Sequence, residues 1–279
     1  MRRPLEPSPA RPRVLYFGSY DRGPGRNTIL MAGLREAGVT VSELHAEVWT
    51  DTGAKLAAFR GPLSLARALL RQCNGWRRLV SSLAGAPAFD VIVVGATAHA
   101  DLPLARRLAR HRGVPLVFDP LVSATETVRD RGLVGPAAPA LALLSRWERW
   151  LFSLPDLVLV DTAAHGAAWR KELALPVAKA RRVPAGSPQA MSTVPEYRPR
   201  SGPMRVVYFG QYIPLHGLAV VVDAAALLGQ HDIDFVFAGR GQLLDDIRDR
   251  ATGLGLRRLA FDDRWRTPEA LAAAHLEPA

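Results

Sequence analysis

Met204-Arg205-Val206-Val207-Tyr208-Phe209-Gly210 repeats in kind an earlier stretch of the chain, Arg13-Val14-Leu15-Tyr16-Phe17-Gly18. Each is a short apolar run that stops at a glycine, ahead of a loop and then a helical pattern. Such an opening makes an anion cradle: the glycine lets the loop backbone come close to a phosphate, and the following helix N-terminus favours negative charge. Two openings of this kind in one chain predict two consecutive nucleotide-binding-type units.

Outward from these anchors, strands and helices alternate. In the first half a helix is expected from about Thr28 to Ala37, stopped by Gly38, then a strand over Val39 to Leu44. Pro62 to Leu83 has helical spacing at Leu65, Leu69, Trp76, Leu79 and Leu83, with a break expected at Asn74-Gly75. Strands follow at Val91 to Val94, Val114 to Phe118, Leu157 to Val160 and Arg181 to Val183, separated by helices at about Leu102 to His111, Ala137 to Leu154 and His165 to Leu173. In the second half the helix after the anchor runs through Leu228. Phe235 to Ala238 is a strand ending at Gly239-Arg240-Gly241. A helix to about Leu254, a strand at Arg258 to Phe261 and a helical pattern at Pro268 to His275 complete it. Apolar strands separated by helices predict parallel sheets covered on both faces. The fold class is therefore α/β, with two Rossmann-like, doubly wound parallel-sheet domains. The expected division is an N-terminal extension at 1–12, a first domain at 13–185, a proline-rich linker at 186–203 and a second domain at 204–279. Three strands make a small open sheet, so the second domain is expected to be incomplete.

Composition sets the outer bounds. Of the 279 residues 48% are hydrophobic and 22% charged, a globular balance. No apolar run approaches the roughly 20 residues of a membrane span. Met1-Arg2-Arg3-Pro4 lacks the apolar core of a signal peptide, and the lone Cys73 excludes a disulfide framework, so a cytoplasmic protein is expected. The net charge of +10 is carried almost wholly by arginine. It reads either as attraction to anions or as a solvated basic surface. Nucleic acid is not an expected partner, because no basic run is interleaved with aromatics in a module pattern.

Three glycine loops are candidate cradles: Gly18 to Gly25, Gly210 to Gly217 and Gly239 to Gly241. The first fails two stronger labels. Pro24 and Gly25 stand where a Walker loop needs lysine and a hydroxyl, and Gly18-Ser19-Tyr20-Asp21-Arg22-Gly23 is not Gly-x-Gly-x-x-Gly. Glu43 lies where a ribose-binding acid could stand, but without those glycines a redox enzyme is not indicated.

Val206 to Gly210, the loop to His216-Gly217, the helix with Asp223-Ala224-Ala225, and Phe235 to Gly241 with Leu254-Gly255-Leu256 through Phe261 resemble the donor-binding domain of retaining GT-B glycosyltransferases of the group 1, family 4 type. The first unit is similar less specifically: Gly18 begins the acceptor-side loop, Asp90 to Gly95 leads to His99, and Leu157 to Asp161 is the strand before the linker. The resemblance implies transfer of a sugar from a nucleoside-diphosphate sugar to an acceptor hydroxyl, often lipid-linked, with no metal and no cofactor beyond that co-substrate. Localisation would then be cytoplasmic or at the inner membrane face. The departing diphosphate is stabilised by positive charge and helix N-termini. It implies donor contacts at Gly210, Gln211, His216, Gly217, Gly239, Arg240 and Gly241, and an acceptor-side loop at Gly18, Ser19 and Tyr20. Two departures stand out. Gln211 and His216 occupy the loop where the family usually carries arginine and lysine, and the family's Glu-x7-Glu element is expected beyond Ala279. The expectation is a truncated transferase with impaired turnover. The competing class is a non-catalytic nucleotide-binding or subunit-contact module.

Single residues leave alternatives open. His99, a catalytic candidate, either contacts the transferred sugar or is a solvated histidine opening a helix. Asp119, the other, either orients an acceptor hydroxyl or caps a turn. Arg240 faces nucleotide or solvent. Asp245, Asp246 and Asp249 read as a solvated face. Leu141 to Leu151, rich in arginine and tryptophan, either rests on a membrane surface or packs on the core with snorkelling arginines.

Overall fold

A computed structural model describes residues 12–23, 25–48, 61–132, 139–187, 202–264 and 270. The expected N-terminal extension up to residue 11, most of the linker (188–201) and the closing helical pattern at Pro268 to His275, residue 270 apart, lie outside these residues. The chain divides into two compact units, Met1–Gly186 and Ser187–Ala279.

The first unit holds six parallel strands: β1 (Arg13–Gly18), β2 (Thr40–His45), β3 (Val91–Val94), β4 (Leu116–Phe118), β5 (Leu157–Val160) and β6 (Ala180–Arg182), in the order β2-β1-β3-β4-β5-β6. Its helices are α1 (Arg26–Glu36), α2 (Pro62–Ser82), α3 (Leu102–Arg112), α4 (Ala124–Asp130), α5 (Pro139–Ser153) and α6 (Ala163–Glu172). The central strands are apolar on both faces and bury Leu15, Phe17, Ile92, Val94, Leu116, Phe118 and Val158. Strand order reverses between β1 and β3. Right-handed crossovers place α1 on one face of the sheet and α2, α3, α5 and α6 on the other. The ring contacts of Phe152 with Phe118 and Trp169 agree with this. A reversal of this kind opens a crevice at the carboxyl ends of the two strands, the usual ligand position in an open α/β sheet.

The second unit holds β7 (Met204–Gln211), β8 (Ile233–Arg240) and β9 (Leu259–Asp262), all parallel in that order, with α7 (Leu218–Leu227) and α8 (Leu244–Gly253). Its core is Tyr212, Leu218, Val222, Phe237, Ile247 and Ala251. Among the described residues no helix is long and apolar enough to cross a membrane.

Two local expectations need correction. Helix α2 runs unbroken through Asn74-Gly75. Gly75 is there because α2 crosses Val48 closely, and a Cβ at residue 75 would run into its Cγ2. Helix α4 was not expected at all, although Ser123-Ala124-Thr125-Glu126 has the spacing of an N-terminal capping box. The Ser123 side chain indeed accepts from the Glu126 amide at 3.1 Å.

Helix propensity and packing pull Gly75 in opposite directions. Alanine should gain about 1 kcal/mol within a helix, but overpacking costs about 1–3 kcal/mol. Packing should win. Gly75→Ala is expected to lower the thermal midpoint, whereas alanine at the exposed neighbour Asn74 should leave it unchanged or raise it.

Candidate functional site

Both sheets gather their polar side chains at the carboxyl edge, but they use them differently. In the first unit Gly18 ends β1 at φ +121°, and a Cβ there would meet Asp101 Oδ2 at 2.8 Å. Asp101, fully buried at the start of α3, is the hub of this edge. Its Oδ2 accepts from the Ser19 amide (2.6 Å) and hydroxyl (2.7 Å), and its Oδ1 accepts from Gln72 Nε2 (2.5 Å) and the Trp76 indole (2.8 Å). The Ser19 amide, which could have faced a phosphate, is thus occupied by the protein's own carboxylate. Across the crevice Asn27 Oδ1 takes the Ala96 amide at 2.7 Å and the Tyr16 hydroxyl at 2.9 Å. Tyr20 is buried, its hydroxyl donating to Glu43 at 2.9 Å. Burial pushes the Glu43 carboxyl up, but hydrogen bonds from Arg35, Tyr20 and Arg22 outweigh it and hold the group below its ordinary range. Glu43 is therefore part of the wall of this loop.

His99 and Asp119 stand at the same edge, after β3 and β4. His99 is buried, its ring edge-on to Phe118 with centroids 5.1 Å apart, and its Nε2 lies 3.8 Å from Glu148 Oε1. Glu148, fully buried on α5, closes the start of α4 by accepting from the Ser123 hydroxyl (2.8 Å) and the Ala124 (2.6 Å) and Thr125 (3.0 Å) amides. Asp119, also fully buried, is clamped by Arg26, whose Nε donates at 2.8 Å and Nη2 at 3.0 Å. Arg26 Nη1 reaches on to the Pro184 carbonyl at 2.9 Å. Burial raises the Asp119 carboxyl above its usual range, against the lowering effect of Arg26. Sequence reading missed Asp101, Arg26 and Glu148. Arg26 and Asp119 are 93 residues apart and meet only through strand order.

In the second unit the carboxyl ends of β7 and β8 lie side by side, with Gly210 opposite Gly239 and Gln211 opposite Arg240. Gly239, at φ +147°, has no room for a Cβ, which would strike the Gly210 carbonyl oxygen. At Gly241 a Cβ would strike the backbone of Tyr212. The chain then turns through Pro214–His216 into α7, whose N-cap Gly217 is left-handed at φ +62°. The first turn of α7 carries no acidic residue; the Val220 amide is taken by the Gly217 carbonyl at 3.0 Å, and the Leu218 and Ala219 amides ahead of it are the ones a helix leaves without intrahelical acceptors. His216 Nδ1 lies 2.7 Å from the Gln211 carbonyl and 2.8 Å from the Tyr208 hydroxyl, which itself donates to that carbonyl at 2.8 Å. A carbonyl cannot donate, so Nδ1 carries hydrogen and Nε2 of this exposed residue points its lone pair outward when neutral. Arg240 is exposed and its Nε bonds the Asp263 carbonyl. The Asp263 carboxylate is taken by Arg248 at 3.2 Å. Asp245, Asp246 and Asp249 are exposed, and no cluster of metal-ligating side chains occurs among the described residues. The second edge therefore brings together Gly210, Gln211, His216, Gly217, Gly239, Arg240 and Gly241, and the first edge brings together Gly18, Ser19, Tyr20, His99 and Asp119.

No family model matches the sequence, and none of the curated proteins matches it. Solved structures do. Sucrose-phosphate synthase from Thermosynechococcus elongatus is 14% identical, with 95% of this chain and 73% of that chain covered and a TM-score of 0.60. WaaG, a glycosyltransferase involved in lipopolysaccharide biosynthesis, is 13% identical over 94% of this chain and 72% of that one, TM-score 0.56. HepE of Anabaena, solved with UDP-glucose, is 14% identical over 94% and 72%, TM-score 0.55. The fold is that of the GT-B glycosyltransferases.

The buried pair gives a test with a definite sign. A raised carboxylate pKa means that Asp119 ionised is a burden on the folded state, one relieved as pH falls through its folded value. Arg26→Met removes the compensating charge and should destabilise the chain by about 3–5 kcal/mol at neutral pH. The deficit relative to the parent should shrink on acidification, as Asp119 protonates. Urea unfolding of both proteins across pH reads this; a pH-independent deficit would mean that Arg26 acts only by packing.

Proposed function

We propose that this chain is a glycosyltransferase that takes a sugar from a nucleoside-diphosphate sugar and joins it to an acceptor hydroxyl. Residues 13–185 would form the acceptor-side domain, 186–203 the linker and 204–279 the donor-binding domain. The bond from the anomeric carbon to the diphosphate oxygen breaks, a bond to the acceptor oxygen forms, and the acceptor's proton is lost. The chain's task is to accept negative charge on the departing diphosphate.

The observation that carries this reading is the contrast between the two edges. At the first, the strand-end amide of Ser19 is filled by Asp101. At the second, a glycine-cleared edge presents the first turn of α7, His216 Nε2 and Arg240 with no acid in that turn. UDP-glucose in the HepE structure supports a nucleoside-diphosphate sugar as the ligand class. Within this reading His99 and Asp119 are the catalytic-side candidates, Asp119 acting from within its clamp with Arg26. A peripheral contact with a membrane surface is supported by Leu143, Trp147 and Trp150, exposed on α5 beside Arg146 and Arg149.

His216 makes the proposal testable. Calorimetric titration with UDP- and GDP-sugars is expected to show binding, and His216→Gln should weaken it roughly ten- to hundredfold, the worth of one charge-assisted hydrogen bond. No heat with any nucleotide sugar would overturn the proposal; binding without turnover under any acceptor tried would favour a non-catalytic nucleotide-binding module.

A further inference from the structure

Joining a sugar to an acceptor hydroxyl releases that hydroxyl's proton, and some group must take it. Asp119 has both carboxylate oxygens engaged by Arg26. His99 is enclosed by Phe118 and Phe152, and the Glu148 carboxylate 3.8 Å from it already serves the start of α4. These contacts leave the two residues to orient sugar and acceptor rather than to take the proton. His45, at the end of β2, bonds the Tyr20 carbonyl at 2.9 Å, a neutral partner. Further along the same edge β5 ends at Asp161, and the first turn of α6 brings His165 back to it.

His165 Nδ1 lies 2.5 Å from Asp161 Oδ1. A carboxylate accepts and does not donate, so Nδ1 carries the hydrogen and the neutral ring keeps its lone pair at Nε2. Two further contacts fix the ring. Its face is stacked on the Trp169 indole, 11° from parallel with centroids 5.5 Å apart, and Trp169 is itself fully buried with its N–H on Glu126 Oε2 at 3.3 Å. The backbone is pinned where the Thr162 hydroxyl accepts the His165 amide at 3.1 Å. The Asp161 side chain is 16% exposed and that of His165 40%, so the carboxylate is sheltered and the imidazole is reachable. Nε2 makes no bond among the described residues. Asp119, at the end of neighbouring β4, is raised first by burial and also by the Asp161 charge, which sets the two carboxylates within electrostatic reach.

We infer that His165 is the proton acceptor of the transfer reaction and Asp161 its positioning residue. The acceptor oxygen bonds the anomeric carbon as its proton passes to His165 Nε2. The bond from that carbon to the diphosphate oxygen breaks, and its electron pair leaves with the diphosphate. The imidazolium stays against the Asp161 carboxylate until solvent takes the proton. A base held in place by a third group is what such a proton transfer requires. An ordinary i, i+4 ion pair on a helix surface would need neither a sheltered carboxylate nor a ring laid on a buried indole. The inference rests on the sugar-transfer reading and deepens it, since it names where the acceptor's proton goes and puts the acceptor hydroxyl at the carboxyl end of β5.

UDP release from UDP-glucose, with water as the acceptor, reads the step in the full chain. His165→Ala should lower kcat by about 10²- to 10⁴-fold, the usual worth of a general base, with KM unchanged. Added imidazole should restore part of that kcat. Asp161→Ala should also lower kcat at unchanged KM, and imidazole should not restore it. Nitrogen-15 spectra of the histidine-labelled chain give a readout apart from turnover. The ring signals that disappear in His165→Ala should report hydrogen on Nδ1 in the parent, and in Asp161→Ala they should move toward hydrogen on Nε2. An unchanged kcat in His165→Ala, a loss confined to KM, a loss that imidazole leaves in place, or a parent His165 ring with hydrogen on Nε2 alone would each overturn the inference. So would the absence of UDP release from a parent chain that still binds UDP-glucose, a result that leaves the donor seat standing. No binding of UDP-glucose in the calorimetric titration would instead sink the sugar-transfer reading, and this one with it.

Discussion

Gly239 sits so close to the Gly210 carbonyl that no side chain can come between them, and the second unit is arranged around that approach. Because β7 and β8 run parallel and in register, the contact sets Gln211 beside Arg240 and lets the Tyr212 amide bond the Arg240 carbonyl at 2.8 Å. Gly241 then passes under the Tyr212 backbone, and the chain is free to climb into α8 while β7 turns through His216 into α7. A methyl group at 239 would separate the strand ends and remove the edge on which His216 and the α7 amides stand. The positive φ values at Gly210 and Gly239 show that the backbone itself uses conformations that L side chains rarely adopt.

The two units share a parallel strand–glycine–helix element and differ in charge at its carboxyl edge. In the first, acids point inward: Asp101 is ringed by donors, Asp119 is clamped by Arg26, and Glu148 caps α4. These carboxylates fill the positions where an incoming anion would need amides, and a phosphate there would meet uncompensated like charge. In the second, the acids nearest the edge are engaged by arginines, Asp263 by Arg248 and Asp262 by Arg264 at 3.8 Å. The same strand–glycine–helix pattern is a closed structural joint in one half and, in the proposed function, an open anion seat in the other. Local charge decides which.

The α/β class and the strand cores were legible because buried parallel strands need continuous apolar runs, and Val91 to Val94 or Leu157 to Val160 have no other use. The strand-end glycines were legible for the same reason: Gly210 and Gly239 follow such runs directly. What sequence could not show were pairings that depend on strand order. Asp119 reads either as an acid that orients an acceptor hydroxyl or as a turn cap, and only strand order, which sets β4 near the start of α1, shows that Arg26 meets it. His99 reads either as a sugar contact or as a solvated histidine opening a helix, and sequence gives no sign that Phe118 lies against its ring. Gly75 looked like a helix breaker because propensity is a local quantity, whereas the crossing of Val48 is not. The capping spacing at Ser123 and Glu126 is present in the sequence as a local signal for the start of α4.

Hydrogen–deuterium exchange of the chain with and without saturating UDP-glucose tests the open seat most directly. If the diphosphate rests on the glycine-cleared edge, amides of residues 210–218 and 239–244 should slow, while the Asp101-bound Ser19 amide keeps its rate. Protection concentrated at residues 18–25 instead, or no change anywhere, would contradict it.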